Sequence, residues 1–111
     1  MFTADLEIDN GIAKITLAGD LDAKTAPIFR EKVEAAAQGE VKSLVLLMQD
    51  LSYMASAGLR VLIFAKQKMG AAVDTYLVGT QETVLDTIQK TGFHQSVILL
   101  DEYDADQIEN S

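Results

Sequence analysis

Few side chains in this sequence could perform chemistry. The chain has no cysteine and a single histidine, His94, which excludes disulfides, thiolate catalysis and the usual structural zinc sites. Ser56 could act as a nucleophile with His94 as its base, but Met54 stands where the GxSxG nucleophile elbow requires its first glycine. His94 follows the helix-ending run Thr91-Gly92-Phe93 and is predicted to be an exposed loop residue. We therefore expect a protein that is not an enzyme.

The carboxylates have simpler explanations than catalysis or metal binding. Asp5, Glu7 and Asp9 alternate along a predicted edge strand, which is typical of a solvated face. Asp20 and Asp22 could form a metal pair, but turn and helix-capping roles account for both of them. The phosphate-binding patterns GxGxxG and GxxxxGK[ST] are absent. The sequence therefore predicts no metal ion and no cofactor.

The composition predicts one globular domain that spans residues 1–111. A hydrophobic fraction of 49% is sufficient for a core. No stretch approaches the roughly 20 apolar residues of a membrane helix, and the N-terminus lacks the features of a signal peptide, so we expect a cytoplasmic protein. The net charge of −8 disfavours nucleic acid and anionic membranes as partners, and it favours a basic or mixed protein surface.

Hydrophobic patterning predicts five strands, at residues 5–9, 12–18, 44–48, 73–78 and 97–100. Asn10-Gly11 joins the first two strands as a hairpin, because both residues tolerate the positive φ of a type I′ turn. In the second strand, Ala13, Ile15 and Leu17 alternate with Lys14 and Thr16, which indicates a sheet with one more exposed face. The continuous apolar run at 44–48 is typical of a strand that is covered on both faces.

Helices alternate with the later strands, at residues 23–38, at residues 56–69 and, after a cap at Thr80, as far as residue 90. Asp22 is the predicted N-cap of the first helix, and Asp101 is the candidate cap of a short final helix. The tail from about residue 106 is expected to fray. The predicted order β-β-α-β-α-β-α-β, with the final helix after it, indicates an α/β fold with a largely parallel sheet.

The segment at residues 50–59 is notable because it joins a buried strand to a helix. Loops at the carboxyl ends of strands form the usual functional edge of an α/β sheet. Ala57 and Gly58 are small, and glycine costs a helix ~1 kcal/mol relative to alanine, so this turn either packs closely on the sheet or admits a partner. Ser56 is a predicted N-cap, and a phosphate at the same place would also suit the helix dipole and its free amides.

Three segments, in order and spacing, resemble motifs of the STAS domain, the fold of bacterial anti-sigma factor antagonists. Gly19-Asp20-Leu21-Asp22 resembles the GxLD turn of that family. Ser56-Ala57-Gly58-Leu59 resembles the second part of its D-S-[ST]-G-[LI] phosphorylation motif. The segment of the third helix is similar to the family at Gly79-Thr80, Val84, Ile88 and Thr91-Gly92-Phe93. Together the three segments extend the resemblance over essentially the whole chain.

The resemblance implies one STAS-like domain with a four- or five-stranded mixed sheet and helices mainly on one face. It implies an antagonist that binds an anti-sigma factor, a serine kinase with a histidine-kinase-like ATPase fold, and thereby regulates transcription. By position, the resemblance implies that Ser56 is the phosphoacceptor. It also implies that phosphorylation releases the kinase and that a metal-dependent serine phosphatase resets the antagonist. The residues expected at the partner surface are Asp20, Leu21, Asp22, Met54, Ala55, Ser56, Ala57 and Gly58.

The chain also departs from the phosphorylation motif of the family. Ala55 stands in place of the usual acidic residue before the acceptor, and Ala57 replaces the second hydroxyl residue. Leu47 occupies a position that is commonly acidic at the end of the preceding strand. These departures favour, as an alternative, a constitutive STAS-type interaction subunit, for example of a lipid-transport ATPase complex. A hydrolase-like enzyme that uses Ser56 is the third hypothesis.

Overall fold

Five strands and four α-helices form the described part of the chain, which is residues 1–109 of a computed structural model. The strands are β1 (Thr3–Asp9), β2 (Ile12–Leu21), β3 (Ser43–Met54), β4 (Asp74–Val78) and β5 (Ile98–Leu100). The helices are α1 (Ala26–Ala37), α2 (Ser56–Met69), α3 (Glu82–Lys90) and α4 (Ala105–Glu109), and a short 3-10 turn covers Phe93–Ser96. None of the helices within residues 1–109 is long and apolar enough to cross a membrane.

The five strands lie side by side in chain order within a single sheet. β1 is antiparallel to β2, whereas the pairs β2–β3, β3–β4 and β4–β5 are parallel. The β1–β2 hairpin turns at Asn10 and Gly11, whose φ angles of 52° and 78° are the positive values that a type I′ turn needs. The predicted order of elements, the hairpin and the mixed sheet are therefore confirmed.

The helices α1, α2 and α3 cover one face of the sheet and enclose the larger hydrophobic cluster. Ala13, Ile15 and Leu17 of β2 are fully buried in it, which confirms the predicted alternation along that strand. Phe29 of α1 and Leu62 of α2 are buried in the same cluster. α1 and α2 also pack against each other, so the two helices are fixed relative to the sheet and to one another.

The opposite face of the sheet is covered in part by the short helix α4. Ile108 is only 2% exposed and joins a second, smaller cluster with Tyr76 of β4. The Tyr103 hydroxyl donates a hydrogen bond of 2.6 Å to the Glu109 carboxylate, and the Lys14 ammonium lies 4.4 Å from the centre of the Tyr103 ring. The chain is helical from Ala105 to Glu109, and Ile108 is buried within that helix. Fraying of the tail from about residue 106 stays a prediction, and residues 110–111 of that tail lie outside the described residues.

Strands β2 and β3 are longer than the sequence predicted. β2 continues past residue 18 to Leu21, and β3 continues past residue 48 to Met54. The extensions pair with each other in parallel, with register shifts between Thr16 and Ala18 and between Gly19 and Asp20. These irregularities break the simple alternation of polar and apolar residues. For this reason the two extensions were predicted as a turn and a loop and not as strands.

The predicted caps of α3 and α4 are both wrong. The N-cap position of α3 is Gln81, and the Thr80 hydroxyl is buried without a hydrogen-bond partner in the described residues. α4 begins four residues after Asp101, at Ala105, and the Asp104 carboxylate accepts a hydrogen bond of 3.2 Å from the Gln107 amide. The N-cap is the residue at which the backbone enters the helix. Where several polar residues lie close together, the sequence alone does not show which of them holds that position.

Candidate functional site

The two sequence segments that were expected to border the partner surface lie beside each other. β2 ends at Leu21 and β3 ends at Met54, and these two residues are partners in the parallel register. The next amide along the chain, that of Ala55, donates a hydrogen bond of 2.8 Å to the Leu21 carbonyl. The carboxyl ends of two adjacent strands therefore deliver both segments to one edge of the sheet, where α2 begins.

Ser56 is the first residue of α2, and its side chain is exposed. The predicted N-cap role of Ser56 is wrong, because Ala55 holds the N-cap position with φ −82° and ψ 171° and no side-chain hydrogen bond caps the helix. The Ala55 carbonyl accepts the first backbone bonds of the turn, from the Gly58 amide at 2.9 Å and the Leu59 amide at 3.2 Å. The Ser56 hydroxyl is therefore left at the positive end of the helix dipole without a capping duty.

Gly58 is explained by close packing of α2 on the sheet. A Cβ atom at this position would lie 2.6 Å from Cγ of Leu21 and 2.8 Å from Cγ of Met54. Leu21 and Met54 are themselves 0% and 3% exposed. These three buried residues thus lie beneath the segments that were expected to form a partner surface, whereas the other five residues expected there reach solvent: Asp20, Asp22, Ala55, Ser56 and Ala57.

Asp22 builds the turn between β2 and α1, but it is not the N-cap of that helix, which begins at Ala26 after Thr25. The Asp22 carboxylate accepts hydrogen bonds from the amides of Thr25, at 3.1 Å, and Lys24, at 2.9 Å. These bonds, that of Thr25 foremost, hold the pKa of the Asp22 carboxyl below its usual value of 3.8. The Thr25 hydroxyl donates in turn to the Asp20 carbonyl at 3.0 Å, so the loop is internally braced.

We expect Asp22→Asn to destabilise the protein in a pH-dependent way. Because the folded-state pKa is lowered, the ionised carboxylate adds stability above its ordinary pKa, and that stability is lost as the pH falls through the lowered value. The urea midpoint of the variant should therefore fall below that of the wild type at pH 7, and the difference should shrink below about pH 4. Asp20→Asn is the control, since no hydrogen bond to the Asp20 carboxylate occurs in residues 1–109. A gap that stays constant with pH would contradict the assignment.

Two exposed side chains at this edge were not among the residues predicted for the partner surface. Tyr53 is 53% exposed on β3 and is paired in register with Asp20 of β2. It was overlooked because its segment was assigned to a loop. Arg60 is exposed one helical turn after Ser56 and takes part in no ion pair within the described chain. The i, i+4 spacing of Ser56 and Arg60 in the sequence could have indicated that their side chains are neighbours on one face of the helix.

His94 does not lie in an exposed loop, which corrects the prediction. It belongs to the 3-10 turn Phe93–Ser96, is half-buried, and its Nδ1 atom is buried without a partner within residues 1–109. That turn packs against α3 and β5, whereas Ser56 is the first residue of α2. The two side chains of the hypothetical nucleophile–base pair therefore belong to different elements. The described residues also contain no group of three or more histidine, aspartate or glutamate side chains that could hold a metal ion.

The sheet order, the covering helices and the motif positions define the class of this protein. The sequence profile of the STAS domain matches residues 3–106, and the chain belongs to the STAS domain family. An anti-sigma factor antagonist from Mycobacterium paratuberculosis is similar in structure, with a TM-score of 0.85 and 22% identity over 94% of this chain and 89% of that one.

Two structures of SpoIIAA share the same fold. The anti-sigma factor antagonist SpoIIAA in its unphosphorylated form has a TM-score of 0.83 and 24% identity, over 98% of each chain. The Bacillus cell fate determinant SpoIIAA in its phosphorylated form has a TM-score of 0.74 and 22% identity, over 97% of this chain and 98% of that one. At these identities the likeness shows a common fold.

Proposed function

We propose that this protein is an anti-sigma factor antagonist of the bacterial cytoplasm that binds a serine-kinase anti-sigma factor and is released by phosphorylation at Ser56. The observation that carries the proposal is the exposed Ser56 hydroxyl at the start of α2, on an edge where two family motifs meet. The solvent-reaching part of that edge is called the switch surface: Asp20, Asp22, Ala55, Ser56 and Ala57.

A phosphate at Ser56 fits this position without disturbing the fold. The side chain points into solvent, and the free amides of the first helical turn and the helix dipole favour an anion there. Phosphorylation would add about −1.5 to −2 units of charge to the switch surface. Because Leu21, Met54 and Gly58 lie buried beneath it, the added charge alters the surface and not the core.

The chemistry is supplied by the partner kinase. The Ser56 Oγ atom attacks the γ-phosphorus of ATP, a new O–P bond forms, and the bond to the departing ADP oxygen breaks. The hydroxyl proton passes to a base on the kinase, since the residues next to Ser56 in the chain, Ala55 and Ala57, carry no basic group. The unphosphorylated protein sequesters the kinase and frees the sigma factor. A metal-dependent serine phosphatase hydrolyses the phosphoserine and restores the binding form.

We expect the cognate kinase and ATP to add one phosphate to this protein, at Ser56. The measurement is the intact mass, followed by mapping of the modified peptide. Ser56→Ala should gain no phosphate, whereas Ser52→Ala, which removes a neighbouring exposed hydroxyl on β3, should gain it normally. Phosphate that appears on a residue other than Ser56, or no phosphate at all, would overturn the proposal.

A second candidate function follows from Ala55 and Ala57, which replace the acidic and hydroxyl residues of the family motif. A constitutive interaction subunit, for example of a lipid-transport ATPase complex, would use the same switch surface without modification. Recovery of the endogenous complex with phosphosite mapping separates the two functions. A kinase together with modified Ser56 supports the antagonist, while a transporter ATPase together with unmodified Ser56 supports the subunit.

A further inference from the structure

A groove lies beside Ser56, between the N-terminal ends of α1 and α2. It encloses about 270 Å³ and opens to solvent. Its apolar lining consists of Ala23, Ala26, Pro27, Ala57 and Val61. A cavity of about 150 Å³ already admits a benzene-sized group, so an aliphatic side chain of a partner fits here. Ala57 belongs both to the groove and to the switch surface, which makes the two continuous.

The charge of the groove is opposite to that of the whole protein. The chain carries a net charge of −8, yet the charged residues that line the groove are two arginines, Arg30 and Arg60. Arg60 forms no ion pair within residues 1–109. The Arg30 guanidinium lies 4.1 Å from the centre of the Phe64 ring. Its ion pair with Glu34, at 4.0 Å, is weak because both side chains are about half exposed to solvent. Both guanidinium groups thus remain available to an outside anion.

We propose that this groove binds an acidic, apolar segment of a partner protein. One aliphatic side chain enters between α1 and α2, and carboxylates that flank it pair with Arg30 and Arg60, whose planar forks suit carboxylate oxygens. That this partner is the kinase rests on the proposed function. The complementarity of an arginine-flanked apolar groove and an acidic segment does not depend on that identity.

Phosphorylation acts on the same arginine. Ser56 and Arg60 are separated by four residues on α2, so their side chains are neighbours on one helical face, with the phosphate in the favoured N-terminal position. A phosphoserine at 56 takes Arg60 as its own partner. The acidic segment then loses one of its two cations and meets an anion beside the groove, so it dissociates.

Nuclear magnetic resonance titration tests the groove with two synthetic peptides, each carrying a central leucine flanked by glutamates or by lysines. The glutamate peptide should shift the amide signals of the groove residues, Ala26, Arg30, Ala57 and Arg60 among them, and the lysine peptide should leave them unchanged. Arg60→Gln should weaken glutamate-peptide binding about tenfold. Lys68→Gln removes the same charge from the other end of α2 and should have no effect. Equal binding of both peptides, or no shifts at the groove, would contradict the proposal.

The pairing of phosphoserine with Arg60 is tested by phosphorus-31 nuclear magnetic resonance, which measures the phosphate pKa in protein that carries phosphoserine at position 56. The second phosphate pKa should lie below its ordinary value of about 6, because the Arg60 guanidinium stabilises the dianion, and Arg60→Gln should raise it. If that variant titrates like the parent protein, Arg60 is not the partner of the phosphate.

Binding of the cognate kinase separates failure of this inference from failure of the proposed function. If the kinase binds the wild type and is released by phosphorylation, but binds Arg60→Gln equally well, the groove proposal is wrong and the proposed function stands. If the kinase does not bind the wild type while the glutamate peptide occupies the groove, the proposed function is wrong and the groove stands. Loss of about tenfold in kinase affinity for Arg60→Gln, and not for Lys68→Gln, supports both.

Discussion

Ser56→Asp is expected to weaken binding of the partner kinase by about a hundredfold, which corresponds to about 2.7 kcal/mol. The aspartate places a permanent negative charge at the first residue of α2, where the wild type presents a neutral, exposed hydroxyl. In the complex this charge is removed from water, and it competes with the carboxylates of the bound segment for Arg60 one turn away. Ser56→Ala retains a neutral surface and should bind nearly as well as the wild type. Isothermal calorimetry measures both affinities.

The control for this effect is Ser96→Asp, which introduces the same charge at an exposed residue of the 3-10 turn and should leave the affinity unchanged. Aspartate carries one charge and a phosphoserine nearly two, so authentic phosphorylation should release the kinase more completely than the substitution does. Equal affinities of the aspartate and alanine variants at position 56 would show that charge is not what operates the switch.

Gly58→Ala is expected to lower the free energy of unfolding by about 2 kcal/mol, and Tm by roughly 8 °C. The added methyl group would lie 2.6 Å from Leu21 Cγ and 2.8 Å from Met54 Cγ, so either α2 must shift or two buried side chains must leave their rotamers. Alanine is the better helix former by about 1 kcal/mol, which offsets part of the cost. Overpacking prevails because both contacts are with atoms near the backbone of fully buried residues.

Gly39→Ala provides the matched control, because a Cβ atom there would meet only the Ala36 carbonyl, at 3.9 Å. Its stability should equal that of the wild type or exceed it slightly, since alanine restricts the unfolded chain. Thermal unfolding followed by circular dichroism compares the three proteins. A Gly58→Ala protein as stable as Gly39→Ala would show that the junction of α2 and the sheet can expand without cost.

The architecture could be predicted because its signals are local. Asn10-Gly11 defines a hairpin by its own backbone preferences, and the alternation of Ala13, Ile15 and Leu17 needs no knowledge of distant residues. The extension of β3 could not be predicted in the same way. Its residues pair with β2, whose partner segment lies some thirty residues earlier in the chain, and a polar, irregular stretch becomes a strand only when that partner is in place.

In the candidate site, too, local features could be predicted from the sequence and features that depend on distant residues could not. The motif around Ser56 predicted it as the acceptor, which stays a prediction. The N-cap of α2 proved to be Ala55, one residue earlier than predicted. The small size of Gly58 was correctly linked to close packing as one of two explanations. The groove was missed, since Arg30 and Arg60 belong to different helices and line one groove only because α1 packs on α2.

The unequal lengths of β3 and β4 have a consequence for local opening. β4 pairs with β3 only as far as the register of Val78 with Leu47, so in the described chain residues 48–54 are hydrogen-bonded as a strand on the β2 side alone. On the other side, the side-chain Nε2 of Gln81 donates a hydrogen bond of 2.7 Å to the Gln49 carbonyl. Amide hydrogen exchange should therefore divide this strand into a slowly exchanging half within the core and a faster half that leads to Ser56. The part of the sheet that leads to the proposed switch surface is thus expected to open as its own cooperative unit, and binding of the proposed kinase would be detected there first, as new protection from exchange.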